Sequence, residues 1–454
     1  MSVDRAGTAI VRIRRELRKS SALVMNSGAL AIGTTAAAGL GFVYWWLAAR
    51  LFPPEVIGNT AALLSVMGLI GTLGEAGLGT MLVGEIVRNP GKERGLVAAA
   101  ACVGVLLAVV LALLFVLGHA YFYTPTALIG GWFEGIAFVL GCGLTVLAIV
   151  ADQAFLGNLR SAGRMVRLVL FGTLKLMLIA AAAAGGYTSH AALLLSWAAG
   201  LLASLVGVDL LTRGGARKLV GPPDFQLLQT LRKKVFDHYA LDVALQAPGI
   251  IMPYLVLVLL SPAINAAFVC LWMLVSMASL IPAAMATVLF PVVRASPKQS
   301  RHDILLSVMA SLLFSLVCAV FIFTYSQTVL AVFNPAYPEI AGSSLRFLGF
   351  SLLGSTLKFH ACTLARLGDR MRKASRWFAL GGLLELCLVI AGAKIGGLQG
   401  LVLGWTLAVS IEGACAALIL AFATNLDSAA GPVHEEPRAP PLQTDLVDGR
   451  QDDS

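Results

Sequence analysis

The sequence predicts an all-α, polytopic membrane protein of twelve helices in two six-helix lobes. Three observations carry that prediction: an apolar excess, an alternation of positive charge along the chain, and an internal repeat. Of 454 residues, 58% are apolar and 13% charged. Soluble domains carry about a quarter charged residues, so this chain has more apolar side chain than a water-facing surface hides. A disordered chain, a secreted disulfide scaffold and an ordinary cytosolic enzyme are excluded on that ground. The seven cysteines (Cys102, Cys142, Cys270, Cys318, Cys362, Cys387, Cys415) lie in apolar stretches without C-x-x-C spacing. They read as small core residues, with no zinc site and no disulfide framework.

A helix needs about 20 apolar residues to cross the hydrocarbon core. Cutting the chain where such runs meet charge, Pro or Gly gives spans 23–49, 58–84, 95–118, 132–151, 165–184 and 190–211. After a polar break come 235–260, 265–292, 303–325, 338–364, 375–393 and 398–424. The Lys/Arg census tests this division independently, because short cytoplasmic loops are enriched in positive charge. Segments on one side hold 28 of the 33 basic residues, while the other side holds only Arg50 and Lys394. The remaining three, Lys175, Arg346 and Lys358, fall inside spans. One missed or invented helix would spoil the alternation, so both termini are expected in the cytoplasm and the protein in the cytoplasmic (inner) membrane.

Five domains follow. Residues 1–22 form a basic cytoplasmic segment with Arg12, Arg14, Arg15, Arg18 and Lys19; the apolar run behind it is too long for a signal peptide. Its charge, and the net +9, are explained by orientation and anionic headgroups without nucleic acid. Residues 23–211 form the N-lobe, 212–234 a cytoplasmic link and 235–424 the C-lobe. The tail 425–454, with seven acids, two bases and four prolines, reads as disordered.

The two halves resemble each other. Leu51-Phe52-Pro53-Pro54-Glu55-Val56-Ile57-Gly58 aligns with Leu259-Leu260-Ser261-Pro262-Ala263-Ile264-Asn265-Ala266 at an offset of 208. Arg160-Ser161-Ala162-Gly163-Arg164-Met165 aligns with Arg366-Leu367-Gly368-Asp369-Arg370-Met371 at an offset of 206. Six helices per half with the same side inward is a parallel repeat, the plan of transporters that rock two lobes about a central site.

Charge within a span is expensive and therefore a site candidate. Lys175, Arg346 and Lys358 either line a cavity that binds an anionic headgroup such as a diphosphate, or neutralise Glu75, Glu385 or Glu412, acids that are themselves candidates for ion coupling or gating; Lys358 has the further option of snorkelling to the interface. His238, Asp242 and Gln246 recur every four residues on one helical face. They suit ion coupling or gating, or an interlobe hydrogen-bonded cap. Asn26, Gly33, Thr34 and Ala37 share a side of span one, for substrate contact or close packing. Glu75, in Gly74-Glu75-Ala76-Gly77-Leu78-Gly79, reads first as a hinge with a satisfied carboxylate and second as an ion-coupling group. No Walker loop, H-E-x-x-H or G-x-S-x-G occurs, so neither ATP-driven chemistry nor a cofactor is expected.

Arg50-Leu51-Phe52-Pro53-Pro54-Glu55-Val56-Ile57-Gly58, Gly74-Glu75-Ala76-Gly77-Leu78, Val332-Phe333-Asn334-Pro335-Ala336-Tyr337 and Gly396-Gly397-Leu398-Gln399-Gly400-Leu401 complete the pattern. Together with the twelve spans, they resemble the polysaccharide and O-antigen flippases of the multidrug/oligosaccharidyl-lipid/polysaccharide exporter superfamily, over about residues 20–424. The resemblance implies two lobes around a central cavity and alternating access. It also implies translocation of a polyprenyl-diphosphate-linked oligosaccharide for cell-surface polysaccharide such as lipopolysaccharide, beside the glycosyltransferases and polymerase of the same pathway. In role, Lys175, Arg346 and Lys358 would correspond to cavity-lining cations. A peptidoglycan-precursor flippase and a multidrug exporter are alternatives within the superfamily; span one holds no acidic residue of the kind the drug-exporting branch often carries. A membrane-embedded polymerase is disfavoured because the outer connections 119–131 and 326–337 are short.

Overall fold

The computed structural model describes residues 2–122, 128–212, 220–295, 300–367 and 370–429. Within them the side chains of 2–24, 27, 120, 122, 232–238, 290–291, 294–295, 300, 419 and 421–429 are outside the description. The tail beyond 429, residues 213–219 of the interlobe link and the side chain of His238 therefore lie outside the described residues.

Every described element is helical: α1 (Ser2–Leu51), α2 (Pro54–Glu75), α3 (Leu78–Arg88), α4 (Glu93–Phe122), α5 (Trp132–Gly157), α6 (Ser161–Ala184) and α7 (His190–Leu211). The second half contains α8 (Phe225–Leu259), α9 (Pro262–Ala295), α10 (Ser300–Phe333), α11 (Tyr337–Ala341), a 3-10 turn (Ser344–Phe350), α12 (Ser351–Leu367) and α13 (Met371–Ala429). Caps set several starts. The Asp224 carboxylate accepts from Leu227 N at 2.9 Å before α8, and Pro54 stands in the first turn of α2, where its missing N–H is no loss.

Ten of these helices are long and apolar enough to cross a membrane, and two breaks bring the number to twelve. Within α13 the backbone leaves helical geometry at Gly396 and Gly397, the latter at φ 55°, so α13 is a hairpin of two antiparallel spans. Its arms approach backbone to backbone: a Cβ on Gly392 or Gly400 would collide with the other's carbonyl. The twelfth crossing is composite, assembled from α11, the 3-10 turn and α12. Span 338–364 is thus corrected from one helix to three pieces. Span 58–84 is likewise corrected to α2 and α3, divided where Ala76 (φ 49°) and Gly77 (φ 73°) turn left-handed. The break falls beside Glu75, where the sequence reading expects a hinge.

Six crossings per half form the two lobes. In the first, α6 packs between α1 and α7, and α5 against α2, α4 and α7; in the second, α12 packs on α9, α10 and α13, and α13 on α8. Across the boundary α2 lies against both α8 and α9. One apolar cluster fills the N-lobe around Leu63, Met67, Phe138 and Phe155. Another closes the end of the molecule that carries Arg50 and Lys394, joining Tyr44, Ala48 and Ile57 of the first half to Val256, Phe268, Leu330 and Phe333 of the second.

Hydrogen bonds reinforce that closed end. Asn265 Nδ2 donates to the Gly58 carbonyl at 2.7 Å and Asn334 Nδ2 to the Ala49 carbonyl at 2.7 Å. In the other direction Arg50 Nη2 and Trp46 Nε1 donate to the Val332 carbonyl at 2.7 and 3.2 Å. The turns that align as an internal repeat meet here: a Cβ on Gly58 would overlap the Pro262 carbonyl.

Candidate functional site

A cavity of about 500 Å³ opens in the second half, lined by α8, α9, α12 and α13. Helical periodicity supplies its walls. Ser351, Ser355, Lys358 and Cys362 recur every three or four residues along one side of α12, and Ser276, Ser279 and Thr287 line it from α9. Gln246 reaches in from α8, and Trp272 and Trp405 stand in the wall with ring centroids 5.1 Å apart, edge to face. The lining is therefore amphipathic: hydroxyls and an amide for directed hydrogen bonds, with two indole surfaces for flat apolar contact.

Lys358 is the buried cation of this cavity, with 6% of its side chain exposed. Its Nζ donates to Glu385 Oε1 at 2.6 Å and lies 2.7 Å from Glu412 Oε2. The two carboxylates come from opposite arms of the α13 hairpin, so the Gly396-Gly397 turn is what delivers both to one ammonium. A lone ammonium at this depth would carry a desolvation penalty of several kcal/mol. Of the sequence alternatives, the structure therefore shows salt bridging by Lys358 and not snorkelling. At the cavity's end, Arg366 Nη2 donates to Asp242 Oδ1 at 2.5 Å, tying α12 to α8.

The other two intramembrane cations stand elsewhere. Lys175 is 4% exposed inside the N-lobe, its Nζ 4.0 Å from the ring centre of Trp197 and 4.6 Å from those of Tyr44 and Phe171. Those rings, from α7, α1 and α6, supply cation–π contacts in place of a carboxylate. Arg346, in the 3-10 turn, lies over Phe347 at 4.8 Å and Phe323 at 5.2 Å. Of the three cations grouped by the sequence reading, only Lys358 lines the cavity.

The remaining candidates are tied to the framework. Glu75 Oε1 accepts from Gly79 N at 2.8 Å and Thr80 N at 3.2 Å, so the carboxylate caps the first turn of α3 across the hinge. Asn26 Oδ1 accepts from Ser161 N at 3.0 Å, fastening α1 to the start of α6. One strong pair escapes the sequence reading. Arg167 Nε and Nη2 donate to Asp152 Oδ1 and Oδ2, both at 2.5 Å, a buried bidentate bridge between α5 and α6. In the charge census Arg167 counts as loop charge between spans four and five; the signal for the bridge is an acid closing one span opposite a base opening the next.

No family model matches the chain, and no curated protein matches it. Solved structures do. The inward-facing conformation of a multidrug resistance MATE family transporter of the MOP superfamily superposes with a TM-score of 0.68 at 12% identity, covering 89% of this chain and 96% of that one. The fold is that of the MATE transporters. The MATE multidrug transporter DinF-BH matches with a TM-score of 0.66 at 16% identity, over 90% of this chain and 96% of its own. The outward-facing conformation of a MATE family transporter gives 0.58 at 14% identity, over 90% of this chain and 96% of its own.

Proposed function

We propose that the protein is an alternating-access flippase that carries a polyprenyl-diphosphate-linked oligosaccharide across the cytoplasmic membrane. The lobes of residues 23–211 and 235–424 rock about the cleft between them, with both termini and the 212–234 link in the cytoplasm. The observation that carries the reading is the cavity wall. Two tryptophans beside Gln246, Ser276, Ser279, Thr287 and Ser355 offer what a glycan requires: flat apolar faces for its C–H surfaces and directed partners for its hydroxyls. Arg366 at the cavity's end supplies a guanidinium for the diphosphate. Closure at the Arg50 end supports loading from the basic, cytoplasmic side.

A second reading has its own observation. Around Lys358 two carboxylates face one ammonium, and that excess negative charge favours a lipophilic cation, as in a multidrug exporter. One experiment separates them. Trp272→Ala with Trp405→Ala should abolish outward movement of lipid-linked oligosaccharide in vesicles at unchanged protein abundance. Glycan movement at the wild-type rate in that variant refutes the two tryptophans as the glycan site, no glycan movement by the wild type refutes the flippase reading, and export of lipophilic dye cations by a wild type that moves no glycan establishes the second.

A further inference from the structure

A second hollow, of about 410 Å³, opens on the outside of the second half between α12 and the two arms of α13. Small residues make it: Ala374 and Gly381 on the first arm, Ala416 on the second, and Ala361 and Ala365 on α12 leave space that larger side chains would fill. The first arm presents Ala374, Trp377, Gly381 and Leu384 at three- and four-residue steps, so one helical face forms the floor. Trp377 and Leu380 at the edge are 69% and 58% exposed, and Leu383, Leu407 and Leu418 continue the exposed apolar surface. On a helix long and apolar enough to span a bilayer, such a surface meets hydrocarbon.

Positive charge is confined to one end of the hollow. Arg370 and Lys373 line it where α12 hands over to α13, and residues 366–376 carry five bases against one acid. Trp377, one turn further in, has the amphipathic ring that suits a membrane interface. From Lys373 to Leu384 the first arm rises about 16 Å, close to the half of the roughly 30 Å hydrocarbon core that one leaflet contributes. Glu412 stands in the wall, but Lys358 Nζ meets that carboxylate at 2.7 Å from the side of the other cavity and offsets its charge. Bases on this side of the membrane orient the chain and by themselves need no ligand; here they close an apolar hollow. A cavity of similar size in the first half, about 430 Å³ between α4, α5 and α7, has Asp209 as its charged lining residue.

We propose that the hollow between α12 and the arms of α13 seats one bilayer phospholipid with an anionic headgroup of the phosphatidylglycerol kind. One acyl chain lies along Trp377, Gly381 and Leu384, and the phosphate meets Arg370 and Lys373. The guanidinium can hold two phosphate oxygens and the ammonium adds a point charge, while the positive end of the α13 dipole begins at the same place. A zwitterionic lipid brings a choline or ethanolamine cation to the same bases, so headgroup charge decides the occupant. The chain bridges α12 and both arms of α13, whose other faces wall the cavity of about 500 Å³; membrane composition thereby bears on the packing of that wall. The site does not depend on which cargo the protein carries.

The test is quenching of Trp377 fluorescence in the full chain, reconstituted in phosphatidylcholine vesicles that contain increasing fractions of a lipid with brominated acyl chains. The difference from Trp377→Phe isolates this ring from the other tryptophans. Half-quenching of the Trp377 component should need roughly 5-fold less brominated phosphatidylglycerol than brominated phosphatidylcholine. Arg370→Gln combined with Lys373→Gln, both at exposed positions, should remove that preference, and so should Cys415→Phe, which fills the hollow from another exposed position. Equal quenching by the two lipids in the wild type overturns the proposal, as does a preference that survives in either variant. Stronger quenching by a brominated cationic lipid than by phosphatidylglycerol overturns it as well, and assigns the hollow to a lipophilic cation drawn to Glu412.

Discussion

In the proposed transport cycle, opening the Arg50 end is the step whose energetic cost can be worked from named bonds. Asn265 is fully buried and donates to the Gly58 carbonyl; Asn334 and Trp46 donate across the same boundary to Ala49 and Val332. Each bond joins the two halves across the closed end, so opening should break it, and each contributes about 0.5–1.5 kcal/mol net. Asn265→Ala should therefore shift the closed-to-open equilibrium toward open by about 1 kcal/mol, or roughly 5-fold. Combining it with Asn334→Ala and Trp46→Phe should shift it by about 3 kcal/mol, on the order of 100-fold. The assay is modification by a membrane-impermeant thiol reagent of a single cysteine at Ala266, which is buried in the closed end, in a background without the native cysteines. Labelling rates should rise with the number of bonds removed. Equal rates in the single and triple variants, with the protein folded, would refute the assignment of these bonds to a gate.

Three further outcomes follow from the same structure. Asp152→Asn leaves Arg167 buried without its bidentate partner and should lower stability by about 3–5 kcal/mol in a melting assay, and Arg167→Lys should also destabilise because an ammonium does not reproduce the planar two-point bridge. Gly400→Val places a side chain against the Gly392 backbone and should cost more than about 2 kcal/mol, read as a lower melting temperature with parting of the α13 arms. Single cysteines in the 212–234 link should label from the cytoplasm and those in 326–337 from outside; the reverse pattern would overturn the orientation.

Much of the architecture is legible in the chain itself. Apolar length and the alternation of Lys and Arg act locally, through the thickness of a bilayer and the charge bias of its loops, so twelve crossings and their order need no tertiary information. The break beside Glu75 is legible as well, because flanking glycines and a carboxylate just before a new helix make a capped interruption. The division of the tenth crossing into three pieces is not, since apolar content alone does not report how the backbone is partitioned between α and 3-10 turns.

What sequence alone determined, then, is every property that follows from residues near one another in the chain: an all-helical membrane protein, six crossings per half, an internal repeat, and basic residues on one face. What tertiary structure decided is which distant charges meet. Lys358, Glu385 and Glu412 converge because a glycine turn folds α13 back on itself beside α12, while Lys175 is enclosed by rings from three helices and Arg346 lies over Phe323 and Phe347. Three cations that look equivalent along the spans thus have three different partners, because a charge in hydrocarbon takes its role from the groups within about 4–6 Å of it, and packing alone sets those neighbours.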